Sequence, residues 1–184
     1  GGVIAAIPRL AVMTSAFFAV SLLHIPVGPT CVHLTLAGLM GIILGMLAFP
    51  AIFIGLVLQA FLLGHGGVTV LGVNTVNLGI PALVAYGIFK AGAGDKPGSG
   101  SGRITSVSIS RSMKRKTLLG ALAGGIAVAL VVVLTAGTLY TLGEEYIWAI
   151  KALVVGHIPV VAIEAVITGS AVAFLLRVKP ELLG

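Results

Sequence analysis

The residues with the clearest chemical potential are the four histidines. A neutral imidazole is a good ligand for borderline transition metals such as nickel, cobalt, copper and zinc. His24 and His33 bracket a segment rich in proline and glycine, and apolar runs lie on both sides of it. This arrangement predicts a polar turn that holds an imidazole at a fixed depth between two buried segments. The alternative is that both histidines merely lie at a water interface.

The sequence context of each histidine indicates how well it could serve as a metal ligand. His33 begins an apolar segment just after a Gly-Pro-Thr turn, so we expect it to be the main metal ligand, with Thr30 orienting its ring. His24 ends the preceding apolar segment and is the second candidate. Asn74 and Asn77 are three residues apart on one helical face, where they could steady a metal-bearing loop or tie helices together.

Three further residues are weaker candidates. His65 lies between glycines and is most simply a loop residue. His157 and Glu164 share the last apolar segment, seven residues apart, which is about two helical turns. A carboxylate inside a membrane is costly unless it is paired or functional, and we favour pairing between helices over a proton relay. The pair also leaves open an intramembrane enzyme, although no nucleophile or second acid lies near it in sequence.

The composition excludes several other classes of protein. The 184 residues are 58% hydrophobic and only 9% charged, whereas a soluble chain carries about 25% charged residues. The single cysteine, Cys31, excludes an internal disulfide and a thiolate metal cluster. Neither a Walker A motif nor an HExxH motif occurs, so the chain is neither a P-loop ATPase nor a metalloprotease of that type.

The hydropathy pattern predicts one all-α transmembrane domain over residues 1–184. A spanning helix needs roughly 17–25 residues, and six apolar segments are candidates. We expect a sharp turn at Phe49-Pro50, and a broken or re-entrant first half in the fourth segment. The chain has no initiator Met and starts like the end of an apolar segment, which predicts an additional helix before it. The six predicted spans are residues 8–23, 33–49, 51–64, 68–89, 117–140 and 152–176.

The basic residues predict the orientation in the membrane. Residues 91–116 form a hydrophilic loop with a Gly/Ser stretch at 97–102, which resembles an engineered linker, and a basic run that ends at Lys116. With six spans, ten of the eleven Lys and Arg residues fall on one face, and only Lys151 lies on the other. The positive-inside rule makes that basic face, with the C-terminus, cytoplasmic and places the four histidines outside. The basic run could bind anionic lipid or a cytoplasmic partner, and this placement argues against a nucleic-acid ligand.

Four segments resemble the nickel/cobalt substrate-binding subunits of energy-coupling factor transporters, the CbiM/NikM type. They are residues 21–34, 66–77, 156–169 and 177–183. The resemblance implies a multi-pass subunit of a prokaryotic cytoplasmic membrane that captures Ni(II) or Co(II) outside the cell. It also implies that the metal is a substrate, that no cofactor is needed and that the chain is not an enzyme. ATP would be hydrolysed by cytoplasmic partner subunits through a transmembrane coupling subunit, with a small accessory membrane subunit as a further candidate partner.

The resemblance also implies how the metal is held. In the family, a Met-His N-terminus supplies its amine, a backbone nitrogen and an imidazole, and a loop histidine that matches His33 completes the site. A planar nitrogen set of this kind favours Ni(II) or Cu(II). This sequence has no Met-His start, so the resemblance implies that it carries only part of the site. The competing interpretation is a non-catalytic membrane adaptor whose histidines are incidental.

The charge distribution predicts that the 91–116 loop faces the cytoplasm. A cysteine introduced in place of Ser108 should stay unmodified when intact cells are treated with a membrane-impermeant thiol reagent, and should react once the cells are opened. A Cys31→Ser background removes the native thiol from the measurement. Labelling of the introduced cysteine in intact cells would overturn the predicted topology.

Overall fold

A computed structural model describes residues 3–27, 30–64, 66–93 and 106–183, which form six α-helices and one short β-hairpin. The predicted all-helical class is confirmed, with the hairpin as an addition. Strands β1 (His24–Val27) and β2 (Thr30–His33) pair between the first two helices. The helices are α1 (Val3–Ser21), α2 (Ala37–Leu44), α3 (Ala48–Leu63), α4 (Leu71–Ala93), α5 (Ser106–Leu142) and α6 (Ile147–Val178).

The hairpin occupies the position of the predicted polar turn. Its antiparallel register places His24 opposite His33, and Val27 opposite Thr30. The side chains of His24 and Thr30 lie outside the described residues, as do all of His65 and the Gly/Ser stretch at 97–102. At the level of the backbone, the two predicted ligand histidines are therefore cross-strand neighbours.

Helices α2 and α3 run in opposite directions along α4. Helix α2 passes Ala82 and then Tyr86, whereas α3 begins beside Gly79, one helical turn back toward the start of α4. The reversal occurs at Gly45, whose φ of 59° is one that glycine adopts readily. A 3₁₀ turn then leads into α3. The predicted turn at Phe49-Pro50 is wrong by about one helical turn, because both residues belong to the first turn of α3.

Helix α2 is only half of a membrane span. Its 8 residues extend about 12 Å, against a hydrocarbon thickness of about 30 Å. The apolar part of α1 is also short, so the structure does not match the prediction of six full spans. Within the described residues, four helical stretches are long and apolar enough to cross a membrane, and the first of them contains the α2–α3 reversal. They are 37–63, 71–93, 110–142 and 144–178.

Helix α4 is continuous where the sequence predicts a broken first half. Residues 68–70 form a turn, and the helix then runs from Leu71 through Pro81 without a break. Two of its polar side chains, Thr75 and Asn77, have hydrogen-bond partners within α4 or on a neighbouring helix. Thr75 donates its hydroxyl hydrogen to the Leu71 carbonyl at 2.7 Å, and Asn77 donates to the Thr138 hydroxyl of α5 at 3.4 Å. Hydrogen bonding therefore accommodates these residues without a helix break.

The start of α2 lies inside the protein, and Glu164 of α6 satisfies its backbone amides. The Oε1 atom accepts hydrogen bonds from the amides of Thr35 and Leu36, the second at 2.9 Å, and the Glu164 side chain is fully buried. The first amides of a helix have no partner within it and carry a partial positive charge, so a carboxylate is a strong cap. Glu164 therefore joins two helices at a buried helix start.

Small residues bring α2 close enough to make this cap. A Cβ atom added at Gly38 of α2 would lie 2.5 Å from the Cα of Gly124 in α5. On the other side of Gly124, an added Cβ would meet the hydroxyl of Thr168, one turn beyond Glu164 in α6. Membrane helices use such small-residue contacts because they let backbones approach closely. The three helices thus meet around the capped start of α2.

The cap predicts two different outcomes for two substitutions. Each buried amide that loses its partner costs about 1–3 kcal/mol, so Glu164→Ala should lower the free energy of unfolding by at least about 2 kcal/mol. Glu164→Gln keeps an acceptor oxygen and should cost less. Thermal unfolding in detergent, monitored by circular dichroism, measures the stability of both variants.

The matched control for this experiment is Glu181→Ala, since Glu181 is exposed near the C-terminus. It should unfold like the unmodified chain. Equal stability of the Glu164→Ala and Glu181→Ala variants would contradict the capping role.

Candidate functional site

His33 and His157, which are far apart in sequence, line the same cavity. The cavity has a volume of about 200 Å³ and is bounded by the end of β2 and by all six helices or the segments that precede them. A water molecule takes up about 30 Å³ in the liquid, so the space holds several waters or a hydrated ion. The lining residues are Phe17, His33, Thr35, Leu56, Gln59, Gly66, Gly67, Leu71, Asn74, Asn77, Leu78, Val131, Val132, Thr135, Leu153 and His157.

His157 is fixed by its own helix. It belongs to a stripe of buried residues that recur at intervals of three or four along α6, which also includes Glu164. Its Nδ1–H donates a hydrogen bond to the Leu153 carbonyl at 2.8 Å. A neutral imidazole protonated at Nδ1 carries its lone pair on Nε2. Although His157 is only 7% exposed, it borders the cavity and can present an acceptor nitrogen there.

His33 has a similar arrangement at the end of β2. Its Nδ1 lies 3.2 Å from the carbonyl oxygen of Leu34 and donates to it, and the residue is half-buried. Metal-binding histidines typically donate one ring N–H to a carbonyl or carboxylate, which fixes the ring and directs the other nitrogen to the metal. Both imidazoles of the cavity therefore have the hydrogen bond that a metal ligand needs.

Neutral amides and hydroxyls supply the remaining polar lining. Asn74 and Asn77 of α4 both reach the cavity, as their spacing predicts. Gln59 of α3 also lines it, and donates to the Ser21 hydroxyl of α1 at 2.7 Å. In the sequence, Gln59 stands out only as a polar residue within an apolar span. Its place at the site depends on the direction in which α3 returns, which hydropathy does not reveal.

Two threonines of the cavity, like Gln59, are not predicted as site residues by the sequence. Thr35 and Thr135 both line it, from the segment before α2 and from α5. Thr35 also takes part in the cap of α2, since its hydroxyl accepts from the Ala37 amide at 3.4 Å. Neither threonine lies in a recognisable motif, so no sequence signal marks them.

The loop between α3 and α4 closes one side of the cavity. Gly66 and Gly67 have φ angles of 76° and 69°, which glycine adopts without strain. A Cβ atom added at Gly66 would lie 3.1 Å from the Nδ2 atom of Asn74. These glycines therefore let the loop backbone approach the polar face of α4.

Glu164 does not share the cavity with His157. It lies about two turns farther along α6, and its Oε1 atom is engaged by the amides at the start of α2. An acid–base pair of His157 and Glu164, which an intramembrane enzyme would require, is thus not assembled. The side chains of His24 and Thr30, and the whole of His65, are not among the parts of the chain that the structure describes.

The described residues do not form a complete metal site by themselves. Among them, no three His, Cys, Asp or Glu side chains come close enough together to hold a metal ion. The cavity offers two imidazoles with neutral oxygen and nitrogen groups around them. Imidazole nitrogens suit borderline divalent metals such as nickel and cobalt. Chemically, the two imidazoles can act as ligands for such a metal.

Comparison with known proteins identifies related sequences. A family model described as the cobalt uptake substrate-specific transmembrane region, CbiM, matches residues 4–182. A Haemophilus influenzae protein whose assigned role is metal transport is 32% identical over 183 residues, covering 96% of this chain and 80% of that protein. The fused nickel transport protein NikMN of Rhodobacter capsulatus is 26% identical over 183 residues, covering 96% of this chain and 52% of that protein.

A solved structure also has the same fold. The crystal structure of a transition metal transporter superposes with a TM-score of 0.75 and 25% sequence identity. The match covers 98% of this chain and 80% of the other.

Proposed function

Because the chain belongs to the CbiM family of cobalt uptake transmembrane regions, we propose that it is the metal-specificity subunit of an importer for Ni(II) or Co(II). The observation that carries this proposal is the joint cavity of His33 and His157, each with its Nδ1–H bonded to a backbone carbonyl. The metal is the cargo rather than a cofactor. No residue of the cavity has a catalytic role in this proposal.

His33 is the proposed principal ligand, and His24 the second. The hairpin register supports this pair, because directly opposite residues of an antiparallel pair have Cβ atoms about 4.5–5.5 Å apart in general. Thr30, Asn74 and Asn77 are proposed to position the ligands, as they do not carry strong donor atoms for these metals. A Met-His segment in front of these residues, which the family resemblance implies, would supply further nitrogens.

The basic end of the bundle is proposed to face the cytoplasm, with the C-terminus on that side. Arg9, Lys90 and Lys116 line one cavity at this end, which lies away from the histidines. The positive-inside rule then places the histidine cavity on the outer face of a prokaryotic cytoplasmic membrane. Metal would be captured there, before entry.

ATP-driven uptake requires partner subunits, because the chain has no Walker A motif. We propose a transmembrane coupling subunit, cytoplasmic ATPases and a small accessory membrane subunit. The existence of the fused NikMN relative supports the association of this region with a second transport component. A membrane adaptor without bound metal is the alternative, and direct metal binding distinguishes the two.

We predict that His33→Ala in a chain of native length lowers the affinity for Ni(II) or Co(II) at least about 100-fold. Loss of an outer partner of a ligand already costs about 10–100-fold, and loss of the ligand itself should cost more. His157→Ala should weaken binding less. Isothermal titration calorimetry in detergent measures these affinities.

Val154→Ala serves as the control for this series, since Val154 is on an exposed face of α6 next to the cavity residue Leu153. It should bind metal like the unmodified chain. Unchanged affinity in the His33→Ala variant would exclude His33 as a ligand.

A second prediction concerns the further nitrogen donors. The 184 residues extended by a helix with a Met-His start should bind Ni(II) much more tightly than the 184 residues alone, because up to three nitrogens are added. Acetylation of the restored amine should weaken binding, since it removes a donor lone pair. Calorimetry of the three forms compares them. Equal affinity of the short and extended forms would show that the metal is bound elsewhere.

A further inference from the structure

A second cavity lies at the basic end of the bundle. Its volume is about 750 Å³, and it is separate from the histidine cavity, with which it shares no lining residue among those the structure describes. Arg9 of α1, Lys90 of α4 and Lys116 of α5 line it, and Glu181 is the one described acid that does so. Three helices thus bring three cations to one space with a single carboxylate.

These cations are not neutralised by the described part of the chain, within which Arg9, Lys90 and Lys116 form no ion pair. Lys90 is instead directed by Tyr86, one helical turn before it. Its Nζ donates to the Tyr86 hydroxyl at 2.9 Å and lies 5.2 Å from the centre of the ring. Like charges gathered in one cavity repel each other, and an anion bound among them relieves that repulsion.

The α2–α3 reversal shapes the cavity. Gly45 and the turn after it form part of the wall. A Cβ atom at Gly45 would lie 3.3 Å from the Tyr86 ring, so the ring that directs Lys90 would have to shift slightly to make room. The backbone reversal that ends α2 therefore packs against the side chain that directs Lys90.

The rest of the cavity wall is apolar. Free phosphate would contact only the cations. An amphiphilic molecule would also cover the apolar side chains of the wall. The cavity lies at the last turn of α4 and near the start of α1, where a membrane surface meets such a bundle. The apolar lining residues are Ile42, Ile43, Leu44, Met46, Leu47, Phe89, Ala93, Leu176, Leu182 and Leu183.

We infer that this cavity binds an anionic phospholipid, with the phosphate group on Arg9, Lys90 and Lys116 and an acyl chain along the apolar wall. Basic pockets between membrane helices are suited to anionic headgroups, because each cation near the surface adds to the attraction. The binding involves no covalent step. The proposal does not rest on the proposed metal site, because the two cavities share no lining residue among those that the structure describes.

The test uses native mass spectrometry of the full chain in detergent with added phosphatidylglycerol. A variant with Arg9→Gln, Lys90→Gln and Lys116→Gln should lose the phosphatidylglycerol adduct, with affinity lowered on the order of 100-fold, about fivefold per cation. The matched control replaces Arg111, Lys114 and Arg115 with Gln, which removes the same charge at exposed positions of α5. It should retain the adduct within about fivefold.

The remaining measurements separate a lipid from other anions. Inorganic phosphate should not compete for the adduct at millimolar concentration, and phosphatidylcholine should not form one. If the triple variant does not fold, the single variant Lys90→Gln, at an exposed position, should lower the affinity about fivefold, whereas its matched control Arg111→Gln should leave the affinity unchanged. Equal loss of the adduct in both triple variants would reduce the effect to general charge attraction and overturn the proposal. Retention of the adduct in both triple variants would also overturn the proposal and would favour a protein partner's carboxylates as the ligand of the cavity. Competition by phosphate would overturn it in favour of a soluble anion.

Discussion

The structure depends on satisfying a helix start that is buried within a membrane bundle. The amides before α2 have no water to bind and no partner within their own helix. Glu164 of α6 supplies the acceptor, and the close approach of Gly38 to Gly124 brings the two within reach. A carboxylate that would be costly in a membrane is thereby retained, since it lies against the positive end of a helix.

This half-helix has consequences at both of its ends. Beyond its N-terminal end, the hairpin and the segment before α2 occupy the space that a full span would fill, and the histidine cavity forms there. At its C-terminal end, the reversal at Gly45 opens the basic cavity. The two cavities thus border opposite ends of α2. They are separate, since they share no lining residue among those that the structure describes.

The chemistry of the histidine cavity suits a protein that binds a metal and later releases it. The described lining contains two imidazoles and neutral amides and hydroxyls, but no carboxylate or thiolate. The family membership of the chain and the arrangement of its imidazoles therefore support the same kind of function.

Hydropathy alone determined the membrane class and the existence of most helices, because a chain surrounded by lipid must satisfy its backbone within helices. The sequence also identified His33, Asn74 and Asn77, which the fold brings to one cavity. Only the tertiary structure decided that α2 is a half-helix, that α4 is unbroken and that Glu164 caps another helix. It likewise decided that Gln59 and Thr135 join the site. These features depend on which elements are neighbours and in which direction they run, and a one-dimensional pattern of apolar and polar residues carries no information about either.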